Sequence, residues 1–197
     1  MKDRNMIRIN LPVSEGDIRR LKVGDEVLIS GTIATGRDNA HKWMVEKKPA
    51  FLKKVLEGSF IYHCGPIVEK LAGGKYRVVS AGPTTSMREE PYQSEVIEMY
   101  GLRGIIGKGG MGKKTLDTLK KFGAVYAHAT GGIAVALADA IKEVKGVYML
   151  EEFGTPEAMW ILEVKDFPCI ISMDSHGNSL HEDVLAKSIE KIKNLNR

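Results

Sequence analysis

The chain is short of most features that would commit it to a class. Its only cysteines are Cys64 and Cys169, far apart and set in apolar or strand-like surroundings. Two isolated thiols do not make a disulfide framework, and an iron–sulfur cluster needs three or four. Buried free thiols are therefore expected, and no metal site can be assembled from this chain. No apolar run approaches a membrane span, and residues 1–6 lead into a strand-like segment without the apolar core of a signal peptide, so the expected location is the cytoplasm. The formal charge of +4 is small, and the lysines come in scattered pairs such as Lys53-Lys54 and Lys120-Lys121. Without a basic stripe interleaved with aromatics, neither a nucleic acid nor a membrane is an expected partner. Internal repeats and low-complexity segments are missing too.

What remains is ordinary globular material, enough in 197 residues to bury one core, and residues 1–197 read as a single domain. Short β-branched runs alternate with helical stretches. Strands are predicted at 7–11, 26–35, 60–64, 67–71, 76–81, 102–106, 124–128, 147–152, 160–164 and 170–173. Helices are predicted at 14–21, 38–47, 50–56, 94–100, 116–122 and 182–195. The wholly apolar 133–138 reads as a buried helix. Together these define an α/β protein.

Three of the connecting loops are chemically loaded. Gly82-Pro83-Thr84-Thr85-Ser86-Met87-Arg88 follows the run Tyr76 to Ala81, and it offers three hydroxyls and a guanidinium on a proline-fixed turn. The plainer alternative is a polar turn whose Thr85 or Ser86 caps the next helix. Gly36-Arg37-Asp38-Asn39-Ala40-His41 leaves the central strand 26–35, with Asp38 and His41 three residues apart on one helix face, so that the carboxylate could steer the imidazole. The alternative there is an ordinary surface histidine. Gly107-Lys108-Gly109-Gly110-Met111-Gly112 opens a helix, and its bare N–H groups, the helix dipole and Lys108 would cradle an anion. It misses the nucleotide-binding P-loop by one residue, since Lys114 stands where a hydroxyl is required. Asp174-Ser175-His176-Gly177-Asn178 is read as a turn rather than a metal or base pair. Two arginines and a lysine at strand exits suit a small dianion.

Taken in order, Gly36 to Lys42, Gly82-Pro83-Thr84-Thr85, Gly107 to Met111, and Pro156-Glu157-Ala158-Met159-Trp160 through Val164 to Pro168 resemble the β subunit of class I, iron–sulfur-dependent fumarate hydratase. That subunit is similar to the C-terminal domain of single-chain class I fumarases and to the β subunit of L-tartrate dehydratase. The resemblance implies a swivelling β/β/α domain with a mixed sheet and flanking helices, a β subunit of a hydro-lyase interconverting fumarate and L-malate. It also implies a partner α subunit carrying a [4Fe–4S] cluster not ligated here, and a homodimer or α/β hetero-oligomer. By the same resemblance Thr84 and His41 would be catalytic, while Arg37, Thr85, Arg88 and Lys108 would bind a small dicarboxylate. Asp38, Gly82, Gly109 and Gly110 would support them. Ser86-Met87-Arg88 leans toward the tartrate enzymes and Gly36-Arg37-Asp38 with His41-Lys42 toward fumarase, so tartrate or a related 2-hydroxydicarboxylate is the alternative substrate. A non-catalytic anion-binding module is the second alternative.

Overall fold

The computed structural model describes residues 6–195. Strands β1 (Ile7–Asn10), β2 (Glu26–Thr35) and β3 (Phe60–Tyr62) are followed by a separate hairpin, β4 (Ile67–Lys70) and β5 (Tyr76–Ser80). After these come β6 (Gly104–Gly107), β7 (Val125–His128), β8 (Ile141–Tyr148) and β9 (Met159–Met173). Seven of them form one mixed sheet in the order β1-β2-β3-β6-β7-β9-β8, and β2 also pairs with β9. That extra pairing closes β2, β3, β6, β7 and β9 into a ring, with β1 and β8 as outriders.

Alternation along the strands divides the apolar residues between two cores. Ile29, Ile33, Phe60, Tyr62, Ile106, Trp160 and Phe167 belong to one, and Ala34, Ile61, Ile105, Tyr126 and Met173 to the other. The second core is roofed by helices α2 (Asp38–Lys47), α3 (Lys53–Leu56), α4 (Glu90–Tyr100) and α5 (Lys113–Phe122), with α1 (Glu15–Ile18) on the first core. Ser14 opens α1 as expected, its hydroxyl accepting from the Asp17 N–H at 3.1 Å. Both cysteines are free and buried, and burial pushes the Cys64 thiol up to about 12.

Three expectations need correction. Residues 150–153 are not strand but helix α7 (Leu150–Phe153), and the strand before them starts earlier, at Ile141. Residues 160–173 are not two strands. β9 runs unbroken through Lys165-Asp166-Phe167-Pro168 because a bulge takes up the irregularity: Asp166 has φ 53°, and its N–H donates to Ser30 Oγ at 2.9 Å. The apolar helix α6 (Ala134–Asp139) buries Leu137 and Ala138 but leaves Ile133 and Val135 exposed, since only one side of it rests on the first core. The last helix, α8 (Leu180–Leu195), likewise exposes Val184, Leu185, Ile189 and Ile192.

Parallel pairing of β2, β3, β6 and β7 puts their C-terminal ends on one edge: Thr35 lies beside Tyr62, Tyr62 beside Ile106, and Gly107 beside His128. The loops beginning at Gly36, His63 and Lys108 all leave from that edge. It is where α/β sheets gather ligands.

Candidate functional site

The Thr84 loop is brought to this edge by the β4–β5 hairpin and then stitched into it. Pro83 bridges Cys64, the Thr84 N–H donates to the His63 carbonyl at 2.8 Å, and Thr85 bridges Lys108 in parallel register. The Ser86 N–H donates to the Lys108 carbonyl at 3.0 Å, and the Lys108 N–H to the Thr84 carbonyl at 3.3 Å. Two of the loaded loops are thus neighbouring strands in all but length. Gly82 fits because a Cβ there would lie 3.0 Å from that of Ala134.

The Arg37 loop joins them through ion pairs. Arg88 of the Thr84 loop holds Asp38 Oδ2 at the start of α2. Arg37 pairs with Glu157 at 3.2 Å, and the same carboxylate accepts the Asn39 N–H at 3.1 Å, capping α2. Arg37 Nε is buried without a partner, and Lys108 ion-pairs with none of the described residues. Arg37, Thr84 and Lys108 are half buried, whereas Thr85 and Arg88 are exposed. The cations therefore line an open surface rather than an enclosed pocket.

Beneath the surface lies a relay of buried polar side chains. His41 is fully buried, not on the helix surface, with Nδ1 3.0 Å from the Arg37 carbonyl and Nε2 3.0 Å from the Gln93 amide oxygen. The same oxygen is 2.9 Å from His63 Nε2, while His63 Nδ1 is 2.8 Å from Ser86 Oγ and Ser86 Oγ 2.8 Å from the Tyr126 hydroxyl. A carbonyl can only accept, so His41 Nδ1–H donates to Arg37. The neutral ring then needs a donor at Nε2, which the Gln93 NH₂ supplies to both imidazoles when the amide is turned end for end. Burial keeps both imidazoles neutral: it lowers the pKa of His41 against the hydrogen bonds, and with His41 nearby it lowers that of His63 well below the usual histidine range.

Set against the sequence reading, Asp38 does not steer His41; its carboxylate is taken by Arg88, and the imidazole is held by backbone and amide. Ser86 is no helix cap, because its hydroxyl is spent on His63 and Tyr126. The helix end of the glycine-rich loop already holds an anion from within the chain. Glu90 Oε2 accepts from the Gly112 N–H at 2.8 Å and the Thr115 hydroxyl at 2.7 Å, and Glu90 Oε1 from the Thr115 N–H at 3.1 Å. Gly109 and Gly110 take φ of 84° and 74°, and at Gly110 a Cβ would lie 2.4 Å from the His181 ring, so the shape of this loop requires glycine. Asp174 does form a turn, its Oδ1 accepting from the N–H groups of His176 at 2.9 Å and Asn178 at 3.1 Å.

The sequence reading missed His63, Gln93 and Tyr126. Gly65 sits against Arg37, where a Cβ would lie 2.8 Å from Nη1 and 2.6 Å from the Pro156 carbonyl. Among the described residues no group of three or more His, Cys, Asp or Glu is arranged to hold a metal ion, and none of their helices is long and apolar enough to cross a membrane.

The sequence that carries these strand-exit loops matches a known family. The profile described as Fumarase C-terminus fits residues 1–184, and the chain belongs to that family. It is 52% identical over 190 residues to the Geobacillus stearothermophilus protein named "Putative fumarate hydratase class I", covering 96% of this chain but 36% of that protein. It is 45% identical over 186 residues to the Methanocaldococcus jannaschii "Putative L(+)-tartrate dehydratase subunit beta", covering 93% and 95% of the two chains. Identity to the Escherichia coli L(+)-tartrate dehydratase subunit beta is 41% over 174 residues, 87% of this chain and 85% of that one. The chain thus spans about a third of the first relative and nearly all of the second.

Proposed function

We propose that the chain is the β subunit of an iron–sulfur hydro-lyase, acting as one unit of the swivelling β/β/α type, and that it carries half of an active site for reversible hydration of fumarate to L-malate. The observation that carries this reading is the pairing of Arg37 with Glu157 and of Arg88 with Asp38 at one open sheet edge. Each arginine holds a carboxylate that a dicarboxylate substrate can replace, so the two ends of a dianion have two ready sockets. Lys108, with no ion pair among the described residues, adds a third cation. Thr85 assists from the same bridge.

Thr84 is assigned to move the proton on the substrate carbon. A free hydroxyl is a weak base near neutral pH, so the cations around it lower the cost of its ionised form, helped by a group from the facing subunit. His41, fully buried and hydrogen bonded to the Arg37 carbonyl, acts through Arg37 as a positioning residue. The Lewis-acid chemistry of a [4Fe–4S] cluster is assigned to the α subunit, since the residues here do not fit such a group. A cytoplasmic α/β hetero-oligomer, with a homodimer of this subunit when isolated, completes the proposal.

A second reading is an L-tartrate dehydratase β subunit, favoured by relatives of that name whose length this chain nearly matches. Anaerobic co-expression with a cluster-bearing α chain, then assay on malate and on tartrate, decides between them. Turnover of malate only by the pair, lost in Thr84→Ala, is the expected result. Turnover of tartrate alone moves the assignment to the second reading, and silence on both with an intact cluster overturns both.

A further inference from the structure

Directly after Arg88, the side chain of Glu89 turns inward at the junction of the short 3-10 turn (Ser86–Glu89) and α4, and it is fully buried. Neither of its carboxyl oxygens accepts a well-formed hydrogen bond, its own backbone N–H being the nearby donor, and Asp38 Oδ1, also buried, accepts none either. Two neighbouring carboxyl groups whose three buried oxygens accept no well-formed hydrogen bond are poorly held if both are ionised. One proton pairs two of the three oxygens, because a protonated Glu89 donates to Asp38, which lies within hydrogen-bonding reach, while Asp38 Oδ2 keeps Arg88 and the other Glu89 oxygen is left to its own backbone N–H.

We propose that Glu89 is held as a neutral carboxylic acid that shares its proton with Asp38, and that this proton sets how readily Arg88 leaves Asp38 for a substrate carboxylate. Glu89 is then a positioning residue acting through Asp38 and Arg88. The proposal rests on the reading of these loops as a dicarboxylate site. With Glu89 neutral, the cluster holds Arg37, Arg88 and Lys108 against Asp38 and Glu157, one cation in excess. If Glu89 loses its proton the excess vanishes, and Arg88 faces two carboxylates instead of one. The groups facing Glu89 are Asp38 from α2, Arg88 from its own turn and the Tyr126 phenol from β7, while Glu157 acts on Arg88 from its other side. Burial, and then Asp38, raise the Glu89 carboxyl to about 8. The switch therefore falls within the range in which the enzyme would work.

Carboxyl-carbon NMR of the full chain labelled at glutamate tests the proton directly. One signal, absent in Glu89→Gln, should titrate near pH 8 and move down in Asp38→Asn; if every glutamate titrates in the usual range near about 4.5, the proposal is wrong. Guanidinium nitrogen spectra of the same sample test the coupling, since the Arg88 signals should shift through the same transition in the native chain but not in Glu89→Gln. In the assembled enzyme, KM for the dicarboxylate should rise several-fold from about pH 7 to about pH 9, with kcat little changed. Glu89→Gln should flatten that rise, and an unchanged profile overturns the role assigned to the proton. An assembled pair with no turnover, alongside a glutamate titrating near 8, would instead defeat the hydro-lyase reading alone.

Discussion

A single residue, Met87, separates Ser86 from Arg88, and the two face opposite worlds. Arg88 is exposed and tied to Asp38 by a contact that water and substrate can both reach, whereas Ser86 is fully buried and shared between His63 and Tyr126. In the outer layer of Arg37, Thr84, Thr85, Arg88 and Lys108, the two arginines are held by carboxylate ion pairs, and Lys108 pairs with none of the described residues. In the inner layer of His41, Gln93, His63, Ser86 and Tyr126 the partners are fixed, and an orphaned group would have no water to turn to. Under the proposed function, the charge to be exchanged with a ligand sits on a surface, and the polar groups that keep the loops in register sit beneath, neutral and dry. The inner relay joins the Arg37 carbonyl to Ser86, so both loops are fastened from below to the same side chains.

This contrast can be broken at either layer. The largest effect expected is from Arg88→Ala in the assembled enzyme: a fall in kcat/KM of about 100-fold or more, with a thermal midpoint almost unmoved, because the loss falls on ligand binding. Steady-state kinetics beside a melt would show it, and a midpoint that drops with activity would merge the two layers. Gln93→Leu should do the reverse, costing about 2–4 kcal/mol in denaturant unfolding by leaving two buried imidazoles short of partners, with the activity per folded molecule largely kept. Next comes Glu90→Ala, which uncaps α5 and should cost about 1–2 kcal/mol without touching KM. A KM effect there would return the glycine-rich loop to the site.

The smallest expected effect is on pH dependence. His41 and His63 have lowered folded pKa values, so the stability of the neutral rings is present above the ordinary histidine value and fades as the pH falls below about 6.5. Glu89, raised from 4.5 to about 8, works in the opposite sense: its contribution is full below the ordinary carboxyl value and is lost as the pH climbs through about 8. Unfolding followed from pH 5 to 9 should therefore weaken at both ends, and Glu89→Gln should remove only the alkaline slope. An alkaline slope that persists in Glu89→Gln would assign it to another group.

Much of the outer layer was legible in the sequence because it lies in short motifs. Gly-Arg-Asp, Gly-Pro-Thr-Thr and Gly-Lys-Gly-Gly each follow a strand-like run; the first and third leave the parallel strands β2 and β6, which release their loops on one edge, while the second is carried there by the antiparallel β4–β5 hairpin. The inner layer was not legible, since its members are far apart in the chain: His41 to Gln93 spans 52 residues and Ser86 to Tyr126 spans 40. His63 read as a strand residue, and nothing local marks a buried imidazole. For the same reason the glycine-rich loop looked vacant, because Glu90, 22 residues earlier than Gly112, fills it from another helix. The long β9 escaped because Asp166 and Pro168 resemble a loop until the facing Ser30 shows the bulge.

The closed ring of β2, β3, β6, β7 and β9 has a consequence for how the molecule breathes. Each ring strand is hydrogen bonded on both sides, so none of them can peel away while the others stay folded. The β4–β5 hairpin belongs to a separate two-stranded sheet, and it delivers the Thr84 loop. Amide exchange should then be slowest in β2 and β9 and fastest at the hairpin tip near Gly73 and Gly74. The threonine would ride on an arm with freedom at its far end and a firm seat at its near one, able to meet an arriving partner without loosening the barrel that aims it.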